Sequence, residues 1–203
     1  VPGGFVLPEA KSRLEWIDRD TLYVATDFGP GSMTTSGYPR IVKRWSRGQP
    51  LAEASTVFEG QASDVSVFME VDSTPAGQRH LFGRAIDFYN TLAFTLQAGQ
   101  LRPVPKPSDA RALVRGEWLF LQLRSALTDA GTTYAAGSLL VTPMEAALSG
   151  KPSYQVLFAP TATRTLGRSG VRFTRSRILL EVTDNVVAGL EELQLVDGRW
   201  TAR

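Results

Sequence analysis

Short apolar runs, each closed by turn-forming residues, constrain this chain more than any other feature. The clearest runs are Leu22-Tyr23-Val24-Ala25, Arg40-Ile41-Val42-Lys43, Val65-Ser66-Val67-Phe68, Trp118-Leu119-Phe120-Leu121 and Ile178-Leu179-Leu180-Glu181-Val182. Between them stand Gly29-Pro30-Gly31, Arg47-Gly48-Gln49-Pro50, Ala76-Gly77, Ala98-Gly99 and Asp197-Gly198. Glycine tolerates positive φ, and proline fixes φ while donating no hydrogen bond, so each cluster favours a tight reversal. Bounded runs of this kind are the strand signature, with strands of roughly five to eight residues. Helix is confined to residues 143–149, where Met144-Glu145-Ala146-Ala147-Leu148 precedes Gly150, with a weaker candidate at residues 51–55. The predicted fold class is all-β.

A unit of apolar residue, polar turn and strong strand recurs along the chain. Trp16-Ile17-Asp18-Arg19-Asp20-Thr21-Leu22-Tyr23-Val24 is the first copy, and a degenerate one surrounds His80-Leu81-Phe82. Leu113-Val114-Arg115-Gly116-Glu117-Trp118-Leu119-Phe120-Leu121 and Val171-Arg172-Phe173-Thr174-Arg175-Ser176-Arg177-Ile178-Leu179-Leu180 complete the series. A spacing of about 37 to 60 residues suits four-stranded antiparallel blades of a β-propeller, about four of them. The expected blades are approximately residues 5–60, 61–107, 108–160 and 161–203, a single propeller fragment. Two stacked sandwiches give similar strand counts but no reason for the recurrence.

The strong strand tends to end in an acid. Asp27-Phe28 follows the first copy, Asp87-Phe88 the second and Asp184-Asn185 the fourth, with Arg124-Ser125 in the third. Two readings stand side by side. These groups face a pore or a neighbouring domain and set the charge met by an entering peptide, or each acid caps its own turn through backbone N–H groups. Phe28 and Phe88 read as packing between blades. Trp16, Trp45, Trp118 and Trp200 read as core or blade-interface residues. The alternating Pro103, Pro105 and Pro107 read as an outermost edge segment, where an unpaired N–H is no loss.

Catalytic machinery is not expected. A serine hydrolase elbow needs G-x-S-x-G, and no such pentapeptide occurs. Gly29-Pro30-Gly31-Ser32 and Gly167-Arg168-Ser169-Gly170 lack its spacing and read as loops. His80, the single histidine, stands beside Arg79, whose charge opposes protonation, and reads as a surface or hairpin residue. One histidine and no cysteine argue against zinc, disulfides and thiol chemistry. Asp18-Arg19-Asp20 and Asp184-Asn185 read as hairpin-tip acids rather than calcium ligands. No metal or cofactor is expected.

The charge balance, 22 basic against 20 acidic residues, includes no run of five Lys or Arg, so a nucleic-acid partner is not expected. No apolar run approaches the ~20 residues that cross a bilayer, so neither is a membrane. The absence of cysteine suits a cytoplasmic or a periplasmic location. The opening Val1-Pro2-Gly3-Gly4, with neither an initiator Met nor a signal segment, is read as an internal start within a longer polypeptide.

One segment carries more than a pattern. Thr26-Asp27-Phe28-Gly29-Pro30-Gly31-Ser32-Met33-Thr34-Thr35-Ser36-Gly37-Tyr38-Pro39-Arg40-Ile41-Val42-Lys43-Arg44-Trp45 resembles the propeller of bacterial prolyl oligopeptidases (prolyl endopeptidases). So do Pro50-Leu51-Ala52-Glu53-Ala54, Val57-Phe58-Glu59-Gly60, and the stretch from Leu123-Arg124-Ser125 to Thr133-Tyr134-Ala135-Ala136-Gly137-Ser138-Leu139-Leu140. The resemblance implies a seven-bladed propeller covering an α/β-hydrolase peptidase domain, which holds a Ser-His-Asp triad and cleaves short peptides after proline. The chain then corresponds to an interior slice of that propeller, to which none of the catalytic residues carries over. Its expected partners are the peptidase domain and short proline-containing peptides. A slice of a ring also bares faces that normally pack on neighbours, so self-association is expected. The alternative is a free-standing propeller or sandwich module that binds a protein partner.

Overall fold

Apolar side chains alternating along short neighbouring strands build four sheets, each of four antiparallel strands. The computed structural model describes residues 3–202, without the side chain of Arg168. The chain separates into two compact units, one running up to Asp72 together with Gln78–Val104, the other holding Ser73–Gly77 and the residues from Pro105 onward.

The first sheet of the first unit runs in order through β1 (Arg13–Trp16), β2 (Thr21–Ala25), β3 (Ile41–Ser46) and β4 (Ser55–Glu59). The second does the same with β5 (Ser66–Thr74), β6 (Gly77–Ala85), β7 (Thr91–Gln97) and β8 (Gln100–Pro103). Every residue of β2 is buried, because its two faces meet different partners. Tyr23 and Ala25 join Val42, Phe58, Val67 and Phe82 in one core. Within it the Phe58 and Phe82 rings stack at 5.5 Å and Tyr23 meets Phe82 edge-on at 5.0 Å. Leu22 and Val24 form the other face with Trp45 and Ala54, over which Phe5 and Leu7 of the N-terminal segment fold. That cover is partial: Trp16 remains 53% exposed.

Hydrogen bonds reinforce the core between these two sheets. The Tyr23 hydroxyl meets His80 Nδ1 at 2.9 Å, Glu15 accepts from the Val71 amide at 3.3 Å, and Gln78 donates to the Ile17 carbonyl. His80 thus sits half-buried on β6, not at the surface. Burial and then Arg44, rather than the adjacent Arg79, push its pKa down, which keeps the imidazole neutral at pH 7.

The second unit repeats the plan with one addition. Its first sheet has the order β14 (Gln155–Phe158), β13 (Leu139–Pro143), β10 (Trp118–Gln122), β9 (Arg111–Arg115). A separate hairpin, β11 (Leu127–Asp129) with β12 (Thr132–Tyr134), is inserted between β10 and β13. The other sheet is β15 (Arg164–Phe173), β16 (Arg177–Asp184), β17 (Val187–Val196) and β18 (Arg199–Ala202). Phe120, Leu139, Val141 and Phe158 pack against Ile178, Leu180, Val182, Leu193 and Trp200 in a single core. Gln155 clamps the Trp200 backbone from both sides, accepting from its N–H at 3.1 Å and donating to its carbonyl at 2.5 Å.

The recurring unit read from the sequence falls on the first two strands of each sheet, and the strong strand is the second. Helix α1 (Met144–Leu148) and a single 3-10 turn, Leu51–Glu53, lie where helix is expected. Strand lengths are more varied than expected, from three residues in β11 and β12 to ten in β15 and β17. The ten-residue β17 is possible because Asn185-Val186 turns in only two residues, leaving Asp184 and Val187 paired. Such a turn needs positive φ at both positions, and Val186 adopts +64° with no glycine to ease it. Of the three alternating prolines, Pro103 lies on the edge strand β8, while Pro105 and Pro107 follow it in the connector. Lys106 ties that connector together by donating to the carbonyls of Pro107, Ser108 and Ala110 at 3.0, 3.1 and 2.8 Å. Burial lowers its pKa to about 8.

Candidate functional site

Asp27, Asp87, Arg124 and Asp184 occupy the same topological position in the four sheets: the end of the second strand or the loop that leaves it. The second strand of each sheet contributes buried apolar residues to the core, and these four polar residues stand at or just past its end. That is why the sequence pattern finds them.

The first loop, residues 26–40, is organised around Asp27. Its Oδ1 accepts from the Gly29 amide at 2.8 Å and from the Ser32 hydroxyl at 3.0 Å. The same buried hydroxyl accepts from the Phe28 amide at 2.9 Å and lies 2.7 Å from the Gly29 carbonyl. Ser32 is therefore a turn component, and the Gly-Pro-Gly-Ser stretch is a loop, as its spacing implies. Phe28 packs partly onto the cluster of Leu22, Val24 and Trp45, and the Lys43 ammonium lies 4.5 Å above its ring. Arg40 closes the loop, donating to the Gly31 carbonyl at 2.7 Å and pairing with Glu59.

The second loop, residues 86–90, is short and tightly held. Asp87 Oδ1 accepts from the Tyr89 and Asn90 amides, both at 2.7 Å, and Oδ2 accepts from Asn90 Nδ2 at 2.8 Å. The Asn90 side chain and then these amides hold the Asp87 carboxyl below its ordinary pKa. Phe88 departs from expectation. It is 81% exposed rather than packed, because the loop projects beyond the end of the paired strands.

Arg124 is exposed in the loop after β10, next to Ser125, whose hydroxyl donates to Asp109 at 2.5 Å. Asp184 closes β16 in an exposed position and accepts from Asn185 Nδ2 at 3.2 Å. Asp27 and Asp87 accept from backbone amides of their own loops, as turn caps do, whereas Asp184 accepts from the Asn185 side chain. Chemically, these bonds shape the loops that leave the second strands of the first two sheets. Among the described residues no group of three His, Asp or Glu side chains is placed to hold a metal, and no helix is long and apolar enough to cross a membrane. Residues 167–170 form a register shift in β15, so Ser169 stands on a strand rather than an elbow.

The sequence reading misses Asp64 and Arg84. Asp64, 2% exposed, sits in the connector between the first two sheets, where it accepts from the Gln61 amide at 2.6 Å and from Arg84 Nε and Nη2 at 2.7 and 2.9 Å. Nothing in Gln61-Ala62-Ser63-Asp64 separates it from an exposed turn acid; only the pairing of sheets buries it.

No family model matches the chain. Among curated proteins, an uncharacterized peptidase of Sinorhizobium fredii is 31% identical over 215 residues, covering 100% of this chain and 29% of the relative. An uncharacterized peptidase of Rickettsia prowazekii is 28% identical, covering 92% of this chain and 27% of the relative. Among solved structures, a post-proline cleaving enzyme from Rickettsia typhi superposes with a TM-score of 0.88 at 27% identity, over 99% of this chain and 31% of that one. Oligopeptidase B from Trypanosoma brucei reaches a TM-score of 0.65 at 14% identity, over 93% of this chain and 26% of that one, a likeness of fold alone. The chain spans just under a third of the length of the proteins it matches.

Proposed function

Taking the chain as a propeller section of a prolyl-oligopeptidase-type peptidase, we propose that it is the scaffold and access filter for a peptidase domain carried elsewhere in a longer polypeptide. The observation that supports this most is the match to the Rickettsia typhi enzyme, near-complete over this chain and only 31% of that one. The contribution is steric. The chain acts as wall: its antiparallel sheets, two of them with loops held by Asp27 and Asp87, admit short extended peptides more readily than folded proteins. The longer polypeptide cleaves short peptides after proline, using a serine that lies outside these residues.

The test compares the 203-residue chain with the full-length natural polypeptide on a chromogenic proline-containing peptide. The full polypeptide should release the reporter after proline and be silenced by a serine-directed inhibitor, while the chain alone stays at background. Inhibitor-sensitive turnover by the chain alone would overturn the division of labour. Cleavage by the full polypeptide only after residues other than proline would overturn the specificity.

Self-association belongs to the same proposal. The half-covered face around Trp16, Leu14 and Val6 leaves apolar surface on the first sheet, and such surface drives association in water. At micromolar concentration the isolated chain should scatter light as a dimer or larger, and Trp16→Ser should shift it toward monomer. A strictly monomeric wild-type chain would remove this part.

A further inference from the structure

The tip of the β6–β7 hairpin presents apolar surface where a simple reversal needs none. Of its five residues, Phe88 is 81% exposed, Tyr89 57% and Ile86 38%. Other turns of the same unit, such as Asp18-Arg19-Asp20 and Ala98-Gly99, are polar or small. Single exposed hydrophobes are ordinary, but three within four residues form a patch.

The tip is also rigid. Asp87 fixes the Tyr89 and Asn90 amides, and the Ile86 amide donates to the Asn90 carbonyl at 2.9 Å. A ring held out on a fixed loop loses little conformational entropy when it docks, and buried aromatic anchors dominate the energetics of interfaces. The loops after β2 and β16 also expose apolar side chains, Tyr38 at 38% and Val186 at 95%, whereas Phe28, which follows Asp27 as Phe88 follows Asp87, is half-buried.

We propose that Phe88, flanked by Ile86 and Tyr89, is the anchor onto which the portion of the longer polypeptide outside these residues docks. This rests on the scaffold reading above. The occupant is inferred from length: the matched relatives carry more than two thirds of their residues outside the region this chain covers. An acidic lipid surface is a poor fit, because the charged side chain within the tip is a carboxylate, Asp87.

The test places the photo-crosslinker p-benzoylphenylalanine at position 88 of the full-length polypeptide and maps the products by mass spectrometry. Intramolecular links to peptides outside this 203-residue region are expected. Amide exchange at residues 86–90 should also be slower in the full polypeptide than in the isolated chain, by about tenfold or more. Links only to a second copy, links only to an added proline-containing peptide, or no link with unchanged exchange would each overturn the proposal. Phe88→Ser, at an exposed position, should keep the circular dichroism of the folded chain while abolishing the exchange difference, and Phe88→Leu should restore part of it. None of these readouts uses peptide cleavage, so a polypeptide inactive after proline would sink the specificity above and leave this interface to be decided by the cross-links.

Discussion

Replacing Gly83 by alanine is expected to destabilise the chain by about 3 kcal/mol, lowering its Tm by roughly 6–12 °C. Gly83 lies on β6 beneath the ring of Phe68. A Cβ there would stand 1.9 Å from Phe68 Cζ, 2.3 Å from Cε1 and 2.6 Å from the Leu92 carbonyl oxygen. The ring can swing away at the cost of its packing. The carbonyl cannot, because Arg84 pairs with Leu92 and Gly83 with Ala93 across the β6–β7 ladder. The backbone at Gly83 is not in the left-handed region, so space rather than φ demands glycine. Adding Phe68→Ala to Gly83→Ala should recover part of the loss, because the ring clash disappears while the carbonyl clash stays. Contacting residues are where such non-additivity is expected. Thermal denaturation of the two singles and the double decides it: a Gly83→Ala chain melting within about 2 °C of the parent would mean that the strands accommodate the methyl by sliding.

Asp64→Asn is expected to cost about 3–5 kcal/mol, because it leaves the largely buried Arg84 guanidinium without its counter-charge. The carboxamide would still offer one acceptor, so Asp64→Ala should be worse, and pairing either change with Arg84→Gln should recover part of the loss. The same carboxylate shapes the acid limb of the stability curve. Burial alone would raise its pKa, but the bonds from Arg84 and the Gln61 amide, with the Arg84 charge, outweigh burial and hold it below the ordinary value. Its contribution is then complete above the ordinary carboxylate pKa of about 4 and is lost as pH falls through its lower folded value.

His80 acts earlier on the same descent. Its folded pKa is depressed, so the unfolded chain takes up a proton first and stability begins to fall below the ordinary imidazole pKa of about 6.5. Denaturant melts from neutral pH down to about pH 3 should therefore show two steps in the parent chain. His80→Gln should erase the upper one and Asp64→Asn should reduce the lower, to which Asp87 also contributes. A parent curve flat across the imidazole range, or an upper step unchanged in His80→Gln, would contradict the assignment to the half-buried His80 beside Arg44.

Much of the architecture could be read from local chemistry. Thr21–Ala25, Trp118–Gln122 and Arg177–Asp184 carry apolar residues on both faces, which marks the second strand in three of the four sheets, whereas β6, with Gln78, Arg79, His80 and Arg84, is legible only through the repeat. The helix at Met144–Leu148 was legible because proline starts it and glycine follows it. Harder to see were features that exist only through tertiary pairing. His80 looks like an ordinary charged-strand residue until β6 lies against β2. Asp64 and Arg84 are 20 residues apart in separate turn and strand contexts. Phe88 looks like core because nothing in Ile86-Asp87-Phe88-Tyr89 shows that the strand pairing has already ended. For the strand-end acids the sequence offered a pore-facing role and a turn-capping role and favoured capping. The hydrogen bonds of Asp27 and Asp87 favour capping.

The inserted hairpin β11–β12 has a consequence for how such a chain diversifies. Strands β10 and β13 pair directly, from Trp118 opposite Pro143 to Gln122 opposite Leu139, so the register is fixed on both sides of the insertion and owes nothing to its length. Residues 124–136, beyond the buried and paired Leu123 and Ser138, can thus lengthen, shorten or be exchanged as a cassette while the ladder beneath stays in step. Variation there should alter what a passing molecule encounters long before it alters whether the polypeptide folds.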